Sequence, residues 1–186
     1  MRVISGISKG HRLKAPKGMN VRPTEDRIKE SLFNIIGPID NNSVILDLFG
    51  GSGSIGIEFL SRGAKECYFV DISTASIATI KENLIHTKLI DKAKILKKDG
   101  VRAIDYFKKE GVYFDYIYLD PPFRHNDLLL NVIESIDNNL ILSPKGILII
   151  EHEKELVLDD NLFGFEKIDY RKYGSKSVTF FKKTIF

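Results

Sequence analysis

The stretch Ser43-Val44-Ile45-Leu46-Asp47-Leu48-Phe49-Gly50-Gly51-Ser52-Gly53-Ser54-Ile55-Gly56 decides the fold of this 186-residue chain. Its apolar first half is typical of a buried strand, and the residues after the glycines predict a helix that Gly63 ends. Gly51, Gly53 and Gly56 match the G-x-G-x-x-G pattern, in which the backbone approaches a ligand closely beside the start of a helix. Glycine-rich turns of this kind occur in many α/β proteins, so the stretch alone predicts only a strand–turn–helix unit.

Acidic residues stand at the ends of four predicted strands. They are Asp47, Asp71, Asp99 and Asp120. Asp71 lies 18 residues after Gly53, close to the spacing of about 20 at which a carboxylate binds ribose hydroxyls. A single strand-end acid is often only solvated. Four of them at βα spacing, beside a glycine-rich turn, predict a binding cleft along one edge of a sheet.

The tetrapeptide Asp120-Pro121-Pro122-Phe123 follows an apolar and aromatic strand pattern over 114–119. Prolines fix φ and lack an N–H group, so the backbone there is stiff. The Asp120 carboxylate and the Pro121 carbonyl can accept hydrogen bonds, and Phe123 offers a flat face. This combination suits an exocyclic amino group on a planar ring. Two prolines alone indicate only a tight turn, but the glycine motif upstream makes a base-binding corner the better interpretation.

The remaining sequence alternates strand and helix patterns as far as a strand at 146–150, which a turn at 143–146 precedes. After it, the patterns at 165–170 and 178–181 predict two strands of a hairpin around Gly174. These patterns predict an α/β fold with helices on both faces of a seven-stranded, mostly parallel sheet that ends in an antiparallel hairpin.

Composition excludes several classes of protein. Hydrophobic residues make up 43% and charged residues 28% of the chain, which is typical of a soluble globular protein. The one cysteine, Cys67, lies in an apolar pattern, so we expect a buried thiol and a reducing compartment. The four histidines form no metal-binding motif, and no apolar run is long enough to span a membrane. We therefore expect a cytoplasmic protein without a metal.

The first part of the chain is strongly basic. Residues 1–22 contain six Lys and Arg residues and no acid, although the net charge of the whole chain is only +3. Gly6 and Gly10 predict an irregular hairpin there. A basic arm is often only a solvated terminus, and we expect this exposed arm to contribute little to the core. A basic arm attached to a binding cleft indicates a nucleic-acid partner. The candidate RNA contacts are Lys9, Arg12, Lys14 and Arg22.

The glycine turn, the strand-end acids and the Asp-Pro-Pro-Phe corner resemble the class I S-adenosylmethionine-dependent methyltransferases. The segments 2–13 and 22–34, together with Tyr173-Gly174, are similar to one branch of them, the RsmD family. That family methylates the N2 amino group of a guanine in small-subunit (16S) ribosomal RNA. The resemblance implies a Rossmann-like catalytic domain over 43–186 and a basic hairpin and helix extension over 1–42.

The resemblance also implies a role for each motif residue, with S-adenosylmethionine as the cofactor. Asp47, Phe49, Gly51 and Gly53 would hold its methionine part, Asp71 and Ile72 its ribose and adenine, and Asp99 the adenine amino group. Asp120, Pro121, Pro122 and Phe123 would grip the target base, which must leave its stack to enter. We expect a monomer whose partner is ribosomal RNA or the assembling small ribosomal subunit.

Three other functions fit part of the pattern. A nucleotide-dependent oxidoreductase would place a pyrophosphate on the same glycines, but Asp47 would repel it. A module that binds RNA without chemistry would not need the acid at Asp120. The third is an amino-group methyltransferase that acts on N6 of adenine or N4 of cytosine, in DNA or another RNA. It would use the same methyl transfer on a different base. Those enzymes more often have Tyr than Phe at the last tetrad position, and they carry a separate recognition domain.

Overall fold

The computed structural model describes residues 1–16, 26–122 and 126–184. The helices are α1 (Asp26–Ile36), α2 (Ser54–Ser61), α3 (Thr74–His86), α4 (Gly100–Glu110) and α5 (Asn126–Asn139), and a short 3-10 turn covers Ile90–Lys92. The strands are β1 (Val44–Leu48), β2 (Glu66–Asp71), β3 (Ala93–Lys97), β4 (Phe114–Leu119), β5 (Leu142–Glu153), β6 (Asn161–Leu162), β7 (Phe165–Tyr173) and β8 (Lys176–Lys183). In this part of the chain, no helix combines the length and the apolar character that crossing a bilayer demands.

The chain divides into two compact units, Met1–Lys98 and Asp99–Phe186. In the first unit β2 pairs in parallel with both β1 and β3. The helices α2 and α3 follow β1 and β2, as parallel neighbours require, because a hairpin turn cannot join them. Both predicted βα units are confirmed, while the division at residue 42 that the sequence suggests stays a prediction.

Helix α2 is buried along its whole length, from Ser54 to Ser61. It therefore exposes no face to solvent, although it contains a glutamate, Glu58, whose side chain is 0% exposed. A carboxylate in such a place must be paired and hydrogen-bonded, because burying an isolated charge costs many kcal/mol.

The N-terminal arm, residues 1–16, supplies partners for this carboxylate. Its hairpin is confirmed by an antiparallel bridge between Arg2 and Arg12. The backbone N–H groups of Ile4 and Ser5 donate to the Glu58 carboxylate at 2.8 and 2.9 Å. The expectation that the arm contributes little to the core is wrong, because Val3 is buried and the backbone hydrogen bonds tie the arm to α2.

Helix α1 contributes a buried cation to the same carboxylate. The Lys29 ammonium lies 2.9 Å from Glu58, and both side chains are fully buried. Burial lowers the pKa of Lys29, and the Glu58 charge opposes that shift. Breaking such a pair from one side costs about 3–5 kcal/mol. The pair therefore holds the arm, α1 and α2 together.

In the second unit β4 and β5 are parallel, and β8, β7 and β6 follow as antiparallel neighbours. The predicted terminal hairpin is therefore confirmed. The whole chain has eight strands in its described residues, not the seven predicted. The additional strand, β6, has only two residues, too few to show the alternation by which a strand is read from sequence.

The predicted turn at 143–146 is wrong. These residues belong to β5, where the pairing register jumps from Phe114–Leu142 to Tyr116–Ile147. The turn-forming residues are thus accommodated as an irregularity within one long strand. Such irregularities bend a strand without ending it.

Candidate active site

The turn after β1 adopts backbone conformations that few residues tolerate. Phe49, Gly51 and Gly53 have φ values of 66°, 55° and 76°. The left-handed region is open to glycine but strained for phenylalanine, and such strain is concentrated at functional sites. The Gly53 N–H closes the turn by donating to the Gly50 carbonyl at 2.7 Å.

Gly56 serves packing rather than ligand contact. A Cβ atom at this position would lie 2.4 Å from the Phe69 ring and 2.7 Å from the Cys67 sulfur. The missing side chain therefore allows α2 to lie directly on β2. This is the role of the third glycine in dinucleotide-binding turns.

Asp71 braces the glycine turn from the end of β2. One carboxylate oxygen accepts the Gly51 N–H at 2.9 Å, and the other accepts the Ser73 N–H at 2.8 Å. Because a carboxylate has about four acceptor sites, each oxygen keeps capacity for a ligand hydroxyl. Next to it, the Ile72 side chain is 67% exposed, and an exposed apolar group beside such an acceptor suits the face of an adenine ring.

Asp47 lies inside β1 rather than at its end, and only 2% of its surface is exposed. One of its carboxylate oxygens accepts the Gly56 N–H of α2 at 3.0 Å. Burial raises its pKa to about 7, and the nearby charge of Asp71 adds to this shift, while the Gly56 hydrogen bond opposes it. The folded protein thus contains a carboxylate whose charge is costly without a cation.

Asp99 and the Asp-Pro-Pro corner belong to the second unit. Asp99 is the N-cap of α4, where its carboxylate accepts the Arg102 N–H at 3.2 Å. Asp120 directly follows β4 and is half-buried, Pro121 is buried and Pro122 is exposed. Phe123 lies outside the described residues.

A buried polar cluster lies beside this corner, and sequence reasoning did not find it. The fully buried Glu151 of β5 accepts a hydrogen bond of 2.5 Å from the Tyr118 hydroxyl and forms an ion pair with the buried Lys176. The adjacent His152 contacts the Glu153 carbonyl through Nδ1 and the Thr179 hydroxyl through Nε2, both at 2.8 Å. A carbonyl only accepts, so Nδ1 carries a proton.

The candidate RNA contacts of the arm point outward. Lys9, Arg12 and Lys14 are exposed, and Lys14 forms an exposed ion pair with Glu82. Arg22 lies outside the described residues. The side chain of the buried Asn83 links the arm to the glycine turn, because its amide donates to the carbonyls of Lys14 and Ser52 at 3.0 and 2.9 Å.

The family model described as Conserved hypothetical protein 95 matches residues 1–182. The chain belongs to this family. YlbH of Bacillus subtilis, a candidate rRNA methyltransferase, is 40% identical over 98% of this chain and 99% of that protein. The Ribosomal RNA small subunit methyltransferase D of Haemophilus influenzae is 35% identical over 83% of this chain and 80% of that protein. The RsmD resemblance is confirmed, and the chain is an RsmD-family methyltransferase.

Solved structures agree with this assignment. HI0767 of Haemophilus influenzae, a candidate methylase, has a TM-score of 0.79 at 29% identity and covers 98% of both chains. SMU.776, which was solved in complex with SAH, has a TM-score of 0.66 at 17% identity over 84% of this chain and 48% of that chain, which shows a shared fold alone. The Rossmann-like methyltransferase fold is therefore confirmed.

Within the first unit of this RsmD-family chain, the structure brings Asp71 and the glycine turn into direct contact and joins Asp47 to Gly56 of α2. Sequence reasoning missed Asn83, Glu58 and Glu151. Each is a polar residue inside an apolar helix or strand pattern, and that mismatch was the only signal available before the structure.

Proposed function

We propose that this protein transfers a methyl group from S-adenosylmethionine to the N2 amino group of a guanine in small-subunit ribosomal RNA. The observation that carries the proposal is the Asp120–Pro121 corner directly after β4. It sits in a chain that is 35% identical to a Ribosomal RNA small subunit methyltransferase D.

The residues of the first unit fit the cofactor. Asp71 has acceptor capacity for the ribose hydroxyls, and the exposed Ile72 suits the adenine. Asp47 supplies the negative charge that an ammonium group needs, and the turn at Gly51 and Gly53 has no side chains to hinder the methionine part. When bound, S-adenosylmethionine supplies a methyl group already activated on a sulfonium centre.

The second unit supplies the contacts to the base and to the adenine. Asp99 is assigned to the adenine amino group, in addition to its capping bond to Arg102. The Asp120 carboxylate and the Pro121 carbonyl would accept the two N–H bonds of the guanine amino group, with Phe123 against the ring. These bonds would aim the nitrogen lone pair and stabilise positive charge as it develops.

The transfer requires one new bond and one proton acceptor. The bound cofactor would supply the methyl group: the amino nitrogen would form the bond to the methyl carbon, the carbon–sulfur bond would break with its electron pair staying on sulfur, and the nitrogen would lose one proton. Asp120 takes this proton, or orients the amino group while water takes it. Asp120→Asn separates the two roles, because an amide still accepts a hydrogen bond but is not a base.

The exposed cations of the arm would bind the RNA backbone. Lys9, Arg12 and Lys14 would neutralise phosphates, and Arg22 is assigned to the same role. Such contacts position an RNA but do not read its sequence. The choice of base therefore belongs to the Asp120 corner, and the affinity for RNA to the basic surface.

The test is nucleoside analysis of ribosomal RNA from cells with and without the protein, joined to turnover assays of Asp120→Ala. We expect N2-methylguanosine to disappear without the protein, and the variant to lose on the order of 100-fold or more in rate while its cofactor affinity stays nearly intact. Asp127→Ala, which removes an exposed acid at the start of α5, is the matched control and should retain the rate. Loss of N6-methyladenosine instead would assign the chain to a different base, and a wild-type rate in Asp120→Ala would remove that residue from the mechanism.

A further inference from the structure

The turn of the β7–β8 hairpin lies at the same end of the second unit as Asp120. Leu119, the last residue of β4, pairs with Ile150 of the parallel strand β5. At its carboxyl end β5 reaches Glu153, which pairs with Lys176, the first residue of the antiparallel strand β8. The hairpin turn immediately precedes Lys176, so it shares this end of the sheet.

The buried cluster around Glu151 connects the hairpin to the strand that precedes Asp120. Tyr118, two residues before Asp120, donates to one Glu151 oxygen, and Lys176 pairs with the other. A charge buried with two specific partners admits little movement, since separating either partner leaves an unpaired group in a dry environment. The hairpin turn is therefore held in a set position relative to β4.

An ordered aromatic ring lies on this end of the hairpin. Tyr170 is 37% exposed, and its ring stacks on His152 with centroids 6.3 Å apart and an angle of 20°. Its hydroxyl lies 3.1 Å from the Ser177 hydroxyl. The Lys172 ammonium is 5.7 Å from the ring centroid. His152 therefore holds one face of the ring, part of the ring is open to solvent, and the Lys172 ammonium lies near it.

The charge that follows this ring in the sequence has one sign. From Tyr170 to the last residue the sequence contains five Lys and Arg residues and no acid. Lys176 is occupied by Glu151, so Arg171 and Lys172 are the exposed cations of β7 that lie near the turn. Arg171 forms a half-exposed ion pair with Asp169, and exposed pairs of this kind contribute little stability. Its guanidinium can therefore exchange that partner for a phosphate at small cost.

We propose that Tyr170, Arg171 and Lys172, the hairpin-tip surface, bind the RNA strand next to the target nucleotide. Arg171 and Lys172 contact phosphates, and Tyr170 offers its ring to a neighbouring base. Cations interleaved with an aromatic ring are the usual means of holding single-stranded RNA. This inference rests on the proposed function and adds to it a second RNA contact, separate from the N-terminal arm.

The test compares two double variants with the same change of charge. Arg171→Ala with Lys172→Ala removes the exposed cations of β7 near the turn. Lys182→Ala with Lys183→Ala removes two from the other end of β8, about 17 Å away at ~3.4 Å per residue. Binding of a fragment of small-subunit ribosomal RNA is followed by fluorescence anisotropy against salt, and kcat and KM are measured with the same RNA.

We expect the tip variant to flatten the slope of log affinity against log salt by about 1.4 to 1.8, since each lost phosphate contact removes roughly 0.7 to 0.9. Its KM for RNA should rise about 10-fold, with kcat and cofactor affinity unchanged. Tyr170→Ala should raise KM, and Tyr170→Phe, which keeps the ring, should not. The control double variant should match the wild-type protein.

Two results overturn the inference: a tip variant with the wild-type salt slope, or equal losses in the tip and control variants. The proposed function fails separately, if the wild-type protein transfers no methyl group to ribosomal RNA. The anisotropy measurement needs no turnover, so it decides the role of the hairpin-tip surface in that case too.

Discussion

Replacing Asp47 with asparagine should make the ligand-free protein more stable. Burial raises the pKa of Asp47 from 3.8 to about 7, and each pKa unit corresponds to about 1.4 kcal/mol. The folded state therefore loses up to about 4 kcal/mol when Asp47 is ionised. Because the folded pKa lies above the unfolded one, the stabilising effect of the protonated form is complete below pH 3.8 and is lost as the pH rises to about 7. Asparagine remains neutral throughout and can still accept the Gly56 N–H.

Urea unfolding of the ligand-free protein at several pH values measures this effect. The gain in unfolding free energy of Asp47→Asn over the wild-type protein should grow by about 1.4 kcal/mol per pH unit between about pH 4 and pH 7, and then remain constant. At pH 8 we expect a gain of about 4 kcal/mol. Asp159→Asn, which neutralises an exposed acid, should show no such gain.

The same substitution should weaken the binding of S-adenosylmethionine. Losing a charged partner for the ammonium group costs about 1.5–3 kcal/mol, which is roughly a 10-fold to 100-fold loss in affinity by titration calorimetry at pH 7.5. Wild-type affinity should fall about tenfold per pH unit below the Asp47 pKa, and the affinity of the variant should not.

The two measurements can refute separate parts of the reasoning. If Asp47→Asn is no more stable than the wild-type protein at pH 8, burial does not strain this carboxylate. If the variant is more stable but binds S-adenosylmethionine as well as the wild-type protein, Asp47 braces the turn through α2 and is not a ligand of the cofactor.

Three further substitutions address the cofactor, the RNA and the arm. Asp71→Ala should weaken S-adenosylmethionine binding at least 10-fold in calorimetry, because a charged acceptor and a brace of the glycine turn are both lost; NAD binding tighter than S-adenosylmethionine binding would contradict the cofactor assignment. Changing Lys9, Arg12 and Lys14 together to Ala should flatten the salt slope of RNA binding by about two units and leave the methylated base unchanged; an unchanged slope would show that these cations do not touch phosphates. Glu58→Gln should lower the unfolding free energy by about 3–5 kcal/mol in urea titrations, because it leaves a buried ammonium without its counterion; a loss below about 1 kcal/mol would mean that the pair does not hold the arm.

The sequence by itself determined the fold class and the strand–turn–helix unit with its glycine-rich turn. Their signals are local: an apolar run in β1, glycines where φ must be positive, and an acid at a set distance along the chain. The closeness of Asp71 to the glycine turn could be predicted from such spacing, because neighbouring parallel strands end at the same edge. The prediction of a turn at 143–146 was wrong because proline and glycine occur both in turns and in strand irregularities.

Only the tertiary structure showed which charged residues are buried and which partners they have. Lys29 and Glu58 look like surface residues of two separate helices, and their burial depends on a contact between segments 29 residues apart. The pKa of Asp47 likewise follows from what surrounds it, not from its place in a motif. Sequence patterns report which residue types a position tolerates, whereas the pairing of buried charges is a property of distant segments brought together, and it becomes visible only when the chain is folded.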